Sequence, residues 1–366
     1  MGDEAYVGRS WLLLLSRAPS GKGSNVVHEM VAGVDVPGAL IPPGGVEVER
    51  GCANRRYRRI GEDFVTLPTY VLITPARNEA QFIELTIQAV VAQTIKPLKW
   101  VIVSDGSTDG TDEIVRKYAS EYGWIELLRQ PERIDRNFAG KAAAFNAGRT
   151  RLAGLDYQVI GNLDADITFE RDYFTFLLDK FAANPKLGVA GTPYEEDGKN
   201  RARLDLEHVS GACQMFRREC FEAIGGYPSI ESGGIDLISV FSARKAGWET
   251  RTFPEKICQH HRKMGSAQLT GFAERWHRGR MDYLLGSHPL WEVFRSLYQM
   301  RNAPVVLGGV LILFGYLWQW IRRVERTMPA SLISIRRRDQ MNRLKSILGR
   351  VLPFVSRLDE RPDPRV

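Results

Sequence analysis

The sequence predicts an α/β fold around a mostly parallel sheet, on three observations. Short apolar runs, Tyr70-Val-Leu-Ile-Thr74 and Trp100-Val-Ile-Val-Ser104, have the continuous hydrophobicity of strands covered on both faces. Between them Phe82, Leu85, Ile87, Ala89 and Val90 recur at helical spacing within 79–93, which completes a βαβ unit. The alternation of strand and helix then continues along the chain, implying parallel pairing through right-handed crossovers.

Taken in order, residues 1–65 are rich in Gly, Pro and Arg without sustained periodicity, and are expected to form a disordered extension. The apolar run at 11–15 is too short for a signal-peptide core or a membrane span. After the first βαβ unit, Ser104-Asp-Gly-Ser-Thr-Asp-Gly-Thr111 reads as a loop opening a helix over 111–122. Ser107, Thr108, Asp109 and Thr111 are its N-cap candidates. A third strand is expected at 124–128 and an Ala-rich helix at 139–152. Val159, Ile160 and Leu163 then make a strand that closes on Asp164-Ala165-Asp166, and a later strand is expected at 250–253.

Asp164 and Asp166 arrive where a buried strand emerges at the carboxyl edge of the sheet, the edge at which open α/β sheets gather ligands. Two carboxylates one residue apart offer oxygen ligands to Mg²⁺ or Mn²⁺, hard cations that also take substrate phosphate. An isolated Asp-x-Asp is common in solvated turns. In this chain the first strand also ends on polar groups, Pro75-Ala-Arg-Asn-Glu79. The second ends on Asp105, able to accept hydrogen bonds from a base or ribose. Polar groups from three strands at one edge point to a nucleotide site.

The 366 residues, 44% of them hydrophobic, suffice for one large core with appendages. Cys52, Cys213, Cys220 and Cys258 form no CxxC pair, zinc spacing or dense disulfide framework. The net charge is +7, and between Arg322 and Arg350 nine Lys/Arg stand against Glu325 and Asp339, a surplus of seven. The basicity therefore belongs to one tail, which argues against a nucleic-acid groove. Just before it, 303–321 has only Gln319 as a strongly polar residue. As a helix it would reach ~28 Å, just long enough to span a bilayer. Tyr316, Trp318 and Trp320 at one end suit interfacial anchors. Gly308, Gly309 and Gly315 allow the alternative of a bent, re-entrant or interfacial element flanked by anionic lipid. In the tail, Leu332, Ile333, Ile335, Met341, Leu344, Ile347 and Leu348 among the arginines suit an amphipathic helix on a membrane surface.

Four motifs in order carry a resemblance: Pro75-Ala-Arg-Asn-Glu79, Ser104-Asp-Gly-Ser-Thr-Asp109, Asn137-Phe-Ala-Gly-Lys-Ala-Ala-Ala-Phe-Asn-Ala-Gly148 and Leu163-Asp-Ala-Asp166. Together they resemble the motifs of family 2 glycosyltransferases with the GT-A fold. The likeness extends through Gly211-Ala-Cys-Gln-Met-Phe-Arg-Arg218 and Gly225-Gly-Tyr227 to His261. It implies a GT-A, Rossmann-like nucleotide-diphospho-sugar transferase domain over 66–290. A membrane-associating or transmembrane helix region over 291–325 and a basic amphipathic tail over 326–366 would follow. The resemblance further implies a nucleotide-diphosphate sugar donor, Mg²⁺ or Mn²⁺, and inverting transfer of a hexose to a hydroxyl of a cell-surface glycan or lipid-linked acceptor. Membrane association with the catalytic domain facing the cytoplasm is expected.

Carried over by position, Pro75, Ala76, Glu79, Asp105, Lys141, Asn146, Asp164 and Ala165 contact the nucleotide or donor. Asp166 holds the metal with His260, and Asp164 meets the ribose or shares the ion. His261 and Arg262 are candidate phosphate or acceptor contacts. Asp236, in Gly233-Gly-Ile-Asp-Leu237, takes the place of the general base. The family commonly has a second acid there, whereas here the nearest earlier acid is Glu231. Phe272-Ala-Glu-Arg-Trp276 lacks the Gln of the Gln-x-x-Arg-Trp motif of processive synthases, which implies a non-processive enzyme. The rival readings are a sugar nucleotidyltransferase and a degenerate, non-catalytic GT-A domain. The first normally carries a Gly-rich basic loop near its first strand, absent from 75–79, and the second is opposed by acids at every strand end.

Overall fold

The computed structural model describes residues 56–60, 63–132, 138–196, 199–200, 207–262, 271–301 and 305–351. Strands β1 (Arg56–Ile60) and β2 (Asp63–Leu67) form an antiparallel pair. Part of the stretch expected to be disordered is therefore a hairpin, whose Tyr57, Ile60, Phe64, Val65 and Thr66 are strand formers. Residues 1–55, with Cys52, lie outside the described residues. There follow β3 (Tyr70–Ala76), α1 (Ile83–Val91), β4 (Lys99–Asp105), α2 (Thr111–Glu121), β5 (Ile125–Gln130), α3 (Phe138–Thr150) and β6 (Val159–Leu163). Next come β7 (Ile167–Thr168), α4 (Tyr173–Ala183), β8 (Leu187–Gly191), β9 (Tyr194–Glu196), β10 (Lys199–Asn200), β11 (Cys213–Arg217), α5 (Arg218–Ala223) and α6 (Ile235–Lys245). The chain continues through β12 (Glu249–Thr252), β13 (Cys258–His260) and four helices: α7 (Phe272–Leu284), α8 (Pro289–Gln299), α9 (Leu307–Ile321) and α10 (Ala330–Val351).

The central sheet has seven strands in the order β12-β8-β11-β6-β3-β4-β5. Its pairs are parallel except where β11 runs antiparallel to β6 and β8. Alternate residues feed two cores, as the continuous apolar runs require. Tyr70, Leu72, Trp100 and Ile102 join α1, α2 and α4 on one face, while Val71, Ile73, Val101 and Val103 join α3, α5 and α6 on the other. Cys213, Cys220 and Cys258 are buried free thiols.

A smaller sheet, ordered β10-β9-β13-β7, stands beside the first. Its pairing of β13 with β7 sets His260 opposite Ile167, directly after Asp166. This contact joins positions almost a hundred residues apart, and no local signal announces it.

The C-terminal helices depart from expectation. The stretch 303–321 yields only the 15-residue α9, or ~22 Å of helix against a hydrocarbon core of ~30 Å. Among the described residues no helix is long and apolar enough to cross a membrane. The single span is thus corrected, and the glycines explain the fold that replaces it. A Cβ on Gly279 of α7 would lie 1.8 Å from the carbonyl oxygen of Ile312, and one on Gly315 of α9 2.3 Å from that of Trp276. The two helices meet backbone to backbone. Tyr316, expected at a membrane interface, is buried and donates to the Ser287 carbonyl at 2.8 Å.

The amphipathic tail is corrected in the same way. Leu332, Arg336, Gln340 and Leu344 recur every four residues along α10, and all are buried. Leu332 and Ile333 pack on Leu237, Ile238 and Phe241 of α6, and Arg336 donates to Ser287 Oγ at 3.0 Å. Asp339 takes a hydrogen bond from Arg244 of α6 at 2.5 Å. Most of the apolar side of α10 is therefore covered by protein, with Leu348 left exposed.

Helix propensity and packing predict opposite signs for Gly279→Ala. An exposed helix would gain about 1 kcal/mol from the exchange, whereas the overpacked α7–α9 contact should lose about 1–3 kcal/mol. We expect a net loss in chemical denaturation, and a stabilised variant would show that α7 and α9 are not in backbone contact.

Candidate active site

Three strands of the central sheet end together, on Ala76, Asp105 and Leu163-Asp164. Asp164 is partly exposed and accepts a hydrogen bond from Lys141 Nζ of α3 at 2.6 Å. Its backbone N–H donates to the Ala212 carbonyl at 2.9 Å. The next turn is fixed by Thr86 of α1, whose Oγ1 donates to the Ala165 carbonyl at 2.8 Å and accepts from the Ile167 N–H at 3.2 Å. Ala165 and Ala76 are core residues, so only their backbones are available to a ligand. Pro75 is half-buried beside them.

Asp166 is buried, 3.6 Å from His260 Nε2 and 3.8 Å from the Arg262 guanidinium. Burial and the charge of Asp164 raise its carboxyl pKa above the ordinary 3.8, despite His260, Arg262 and Lys141 nearby. Ligand atoms of Asp164, Asp166 and His260 all lie within 4.8 Å of one another. The Nδ1 of His260 lies against the Arg262 carbonyl, which can only accept, so the proton of the neutral ring sits on Nδ1. Its Nε2 lone pair then faces the Asp166 carboxylate. Two acceptors and a further carboxylate so placed fit a divalent cation, and the backbone carbonyl on Nδ1 is the usual outer partner of a metal-binding histidine.

Asp236 lies in the first turn of α6 with Oδ2 3.1 Å from where a Gly211 Cβ would stand. Gly211 in turn accepts from Asn162 Nδ2 at 2.8 Å, and the same nitrogen is 3.5 Å from Asp164 Oδ1. Asp236 thus stands across one glycine from the paired acids. The N-cap of α6 is Gly234, with φ 81°, so Asp236 is not needed as a cap. Its backbone carbonyl accepts from Gln214 Nε2 at 3.4 Å, and Tyr227 donates to Gln214 Oε1 at 2.6 Å. These two motif residues position the Asp236 segment, a role the sequence does not reveal. Burial disfavours the Lys141 ammonium, yet the charge and hydrogen bond of Asp164, with the charges of Asp236 and Asp166, hold its pKa above the ordinary lysine value. Glu231 is exposed.

At the β3 and β4 ends, the expected N-caps are mainly cross-loop ties, although Asp109 Oδ1 also accepts from the Thr111 N–H at the start of α2 at 3.1 Å. The α2 N-cap is Gly110. Ser107 Oγ accepts from the Asn78 N–H at 3.1 Å, Thr111 Oγ1 from Glu79 N–H at 2.8 Å, and Asp109 Oδ2 from Ala80 N–H at 3.0 Å. Asn78 Oδ1 returns the tie by accepting from the Thr108 N–H at 2.9 Å. Asp105 is buried, 3.9 Å from Arg77. The turn after it needs glycine: Gly106 has φ +68°, and a Cβ there would lie 2.5 Å from Glu132 Cα. Arg262 donates to the Glu79 carboxylate and its guanidinium lies 5.5 Å from the Phe82 ring centroid. His261 stacks on Phe82 at 6.4 Å and shares a 2.9 Å hydrogen bond with Thr168. Asn146 alone among the expected donor contacts is set apart: it is exposed, ~140° around α3 from the direction of Lys141.

Fold and site define an α/β enzyme whose polar groups converge at the carboxyl edge of a mostly parallel sheet. Residues 71–225 match the family described as Glycosyl transferase family 2. Over 287 residues the chain is 26% identical to the succinoglycan biosynthesis protein ExoA of Rhizobium meliloti, covering 70% of this chain and 82% of that protein. Over 290 residues it is 28% identical to the glycosyltransferase AglE of Haloferax volcanii, covering 73% and 90%. It is 34% identical over 182 residues to a poly-beta-1,6-N-acetyl-D-glucosamine synthase of Staphylococcus aureus, covering 49% of this chain and 42% of that one. Among solved structures, the mannosyltransferase PcManGT from Pyrobaculum calidifontis, in complex with GDP-Man and Mn²⁺, aligns with a TM-score of 0.47 at 19% identity, over 79% of this chain and 83% of that chain. These likenesses support a glycosyltransferase whose residues 71–225 match family 2.

The raised pKa of Asp166 carries a sign. Its ionised form is penalised in the fold, so the cost is present above the folded pKa and vanishes below the ordinary 3.8. Without added metal, Asp166→Asn should therefore melt higher than wild type at neutral pH, with the gain lost in acid. Mn²⁺ should raise the melting temperature of wild type and leave the variant unmoved. A variant that melts lower at neutral pH would remove the repulsion assigned to this pair.

Proposed function

We propose that the enzyme moves a hexose from a nucleoside-diphosphate sugar to a hydroxyl of a glycan or lipid-linked acceptor, with inversion and with divalent metal assistance. The catalytic domain would work on the cytoplasmic side, where such donors are made. The observation that carries this reading is the convergence of Asp164, Asp166 and the Nε2 of His260, with Asp236 across Gly211 from the acids. Mg²⁺ or Mn²⁺ held by these three side chains would act as a Lewis acid on the departing diphosphate.

The remaining steps belong to side chains. Lys141 and Arg262 bring positive charge to the edge where the leaving diphosphate gains negative charge. The stitched loops around Glu79 and Asp105 bring acceptors to where a nucleoside can lie, with Asp105 for the base and Asp164, beside Lys141, for the ribose or the ion. Asp236 accepts the proton of the acceptor hydroxyl as the new glycosidic bond forms on the face opposite the leaving group. One displacement by an external oxygen inverts the anomeric centre, and general-base help of this kind is worth about 10²–10⁴-fold.

Asp236→Asn should lower turnover at least about 100-fold with donor binding nearly unchanged, and Asp166→Ala should abolish metal-dependent turnover while the fold remains. Activity assays and isothermal titration of the donor separate the two effects. Loss of donor affinity in Asp236→Asn would move that residue out of the base role. A thermal-shift panel of nucleotide sugars with Mn²⁺ tests the donor class, since a ligand at 100 times its Kd adds about 2.7 kcal/mol of stability. Stabilisation by none of them would overturn the transferase reading.

A further inference from the structure

Helices α8 and α9 are built with their polarity reversed. Along α8, Glu292, Arg295, Ser296 and Gln299 are buried, whereas Leu290, Val293 and Leu297 are 59%, 42% and 57% exposed. A helix facing water turns its charged side outward. The inward charges of α8 are received by the protein, since Arg295 pairs with the buried Asp282 of α7 and lies 4.0 Å from Glu292. The same inversion runs through α9. Gly308, Gly309, Gly315 and Gln319 face inward, and Leu307, Val310, Phe314, Trp318 and Ile321 form an exposed stripe. Val305 and Val306 between the helices are 65% and 52% exposed. A Cβ on Gly309 would lie 2.2 Å from the Ser296 carbonyl oxygen, so α8 and α9 are in backbone contact. Trp291 and Tyr298 of α8 and Ile312 and Tyr316 of α9 are buried as well, so the inversion lies in the charged and small residues turned inward and the apolar stripe turned outward, an arrangement that suits a lipid solvent.

The charges around this face select its occupant. Among the described residues, Arg280, Arg301, Arg322 and Arg323 are exposed around it, against a single exposed acid, Glu325. The Arg322 guanidinium lies over the Trp318 ring at 5.8 Å. Arg323 and Arg326 line a hollow of about 570 Å³ with Trp320, Ile321, Tyr283 and Val324, cationic and aromatic together. Exposed tryptophan beside arginine is the composition of a membrane–water boundary. A second copy of this chain would meet the same excess of cations. At ~22 Å, α9 is too short to cross, and an apolar face ringed by arginines lies along a surface instead.

We propose that the outward faces of α8 and α9, with Val305 and Val306, dock the enzyme onto one leaflet of an anionic bilayer, where Arg301, Arg322 and Arg323 meet lipid phosphates. Flotation of the full chain with vesicles tests this directly. Vesicles of about three parts phosphatidylcholine to one of phosphatidylglycerol should carry the protein, more strongly at low salt than at high. Leu297→Asp combined with Val310→Asp should lower the bound fraction about tenfold without changing the melting temperature. Arg322→Glu with Arg323→Glu should erase the preference for anionic vesicles. Brominated lipids should quench the wild-type tryptophan fluorescence, less so in Trp320→Phe, a reading that needs no aspartate variant to fold. Wild-type protein left at the bottom of the gradient, or no quenching, would overturn the proposal. So would a dimer in analytical ultracentrifugation that the double aspartate variant dissociates, since the face would then join two copies of the chain.

Discussion

Two carboxylates set one residue apart at the end of a fully buried strand cannot both ionise at ease, and much of the site is arranged around that fact. Burial pushes Asp166 toward the protonated form, and the charge of Asp164 adds to the effect. Two cations and an imidazole face them from different elements: Lys141 from α3, Arg262 just after β13, and His260 on β13 itself. None of these relieves the pair completely, because the pKa of Asp166 stays raised. The residual repulsion is what a divalent cation would discharge. A site of this kind would be less stable empty than filled, which would couple metal binding to the integrity of the sheet edge.

The same edge shows where sequence reasoning succeeds and where it stops. Strand ends were readable because each is local: an uninterrupted apolar run stops, and an acid or a glycine follows, as at Asp105-Gly106 and Leu163-Asp164. The family resemblance, not periodicity, placed His260, since its approach to Asp166 depends on the pairing of β13 with β7 across the chain. Ser107, Thr108, Asp109 and Thr111 were legible as a polar loop before a helix and were assigned to capping. Their partners, Asn78, Glu79 and Ala80, come from another strand end, and only the packed sheet brings the two loops within hydrogen-bonding reach. Gln214 and Tyr227 carry no chemical signature at all, yet they hold the segment that presents Asp236.

Misreading of the C-terminal helices has a single physical origin. Periodicity identifies which residues share a face of a helix and says nothing about the direction in which that face points. In α10 the apolar stripe, interrupted by Arg336 and Gln340, turns inward onto α6 and the α7–α8 connection, because Asp282 and Ser287 supply partners for the guanidinium. In α9 the glycines that weaken a spanning helix are what allow backbone contact with α7 and α8. Composition alone could not distinguish a glycine-bearing span from a short helix packed through its glycines.

These helices are also not a detachable appendage. Gly234, the N-cap of α6, is held so closely against Leu285 that a Cβ there would lie 2.7 Å from the leucine side chain. Gly286 packs as tightly on Ile333 of α10, at 2.5 Å. The turn after α7 is thus wedged between the Asp236 segment and the C-terminal helix, and α8 begins immediately beyond it. An element docked on a bilayer through α8 and α9 would fix the orientation of α6 and its carboxylate relative to that surface. A water-soluble acceptor would gain nothing from such bracing, whereas one retained in the leaflet would be delivered at a constant height to Asp236, the proposed base. The proposed docking face and the proposed base role of Asp236 would together suit a lipid-linked acceptor better than a soluble one.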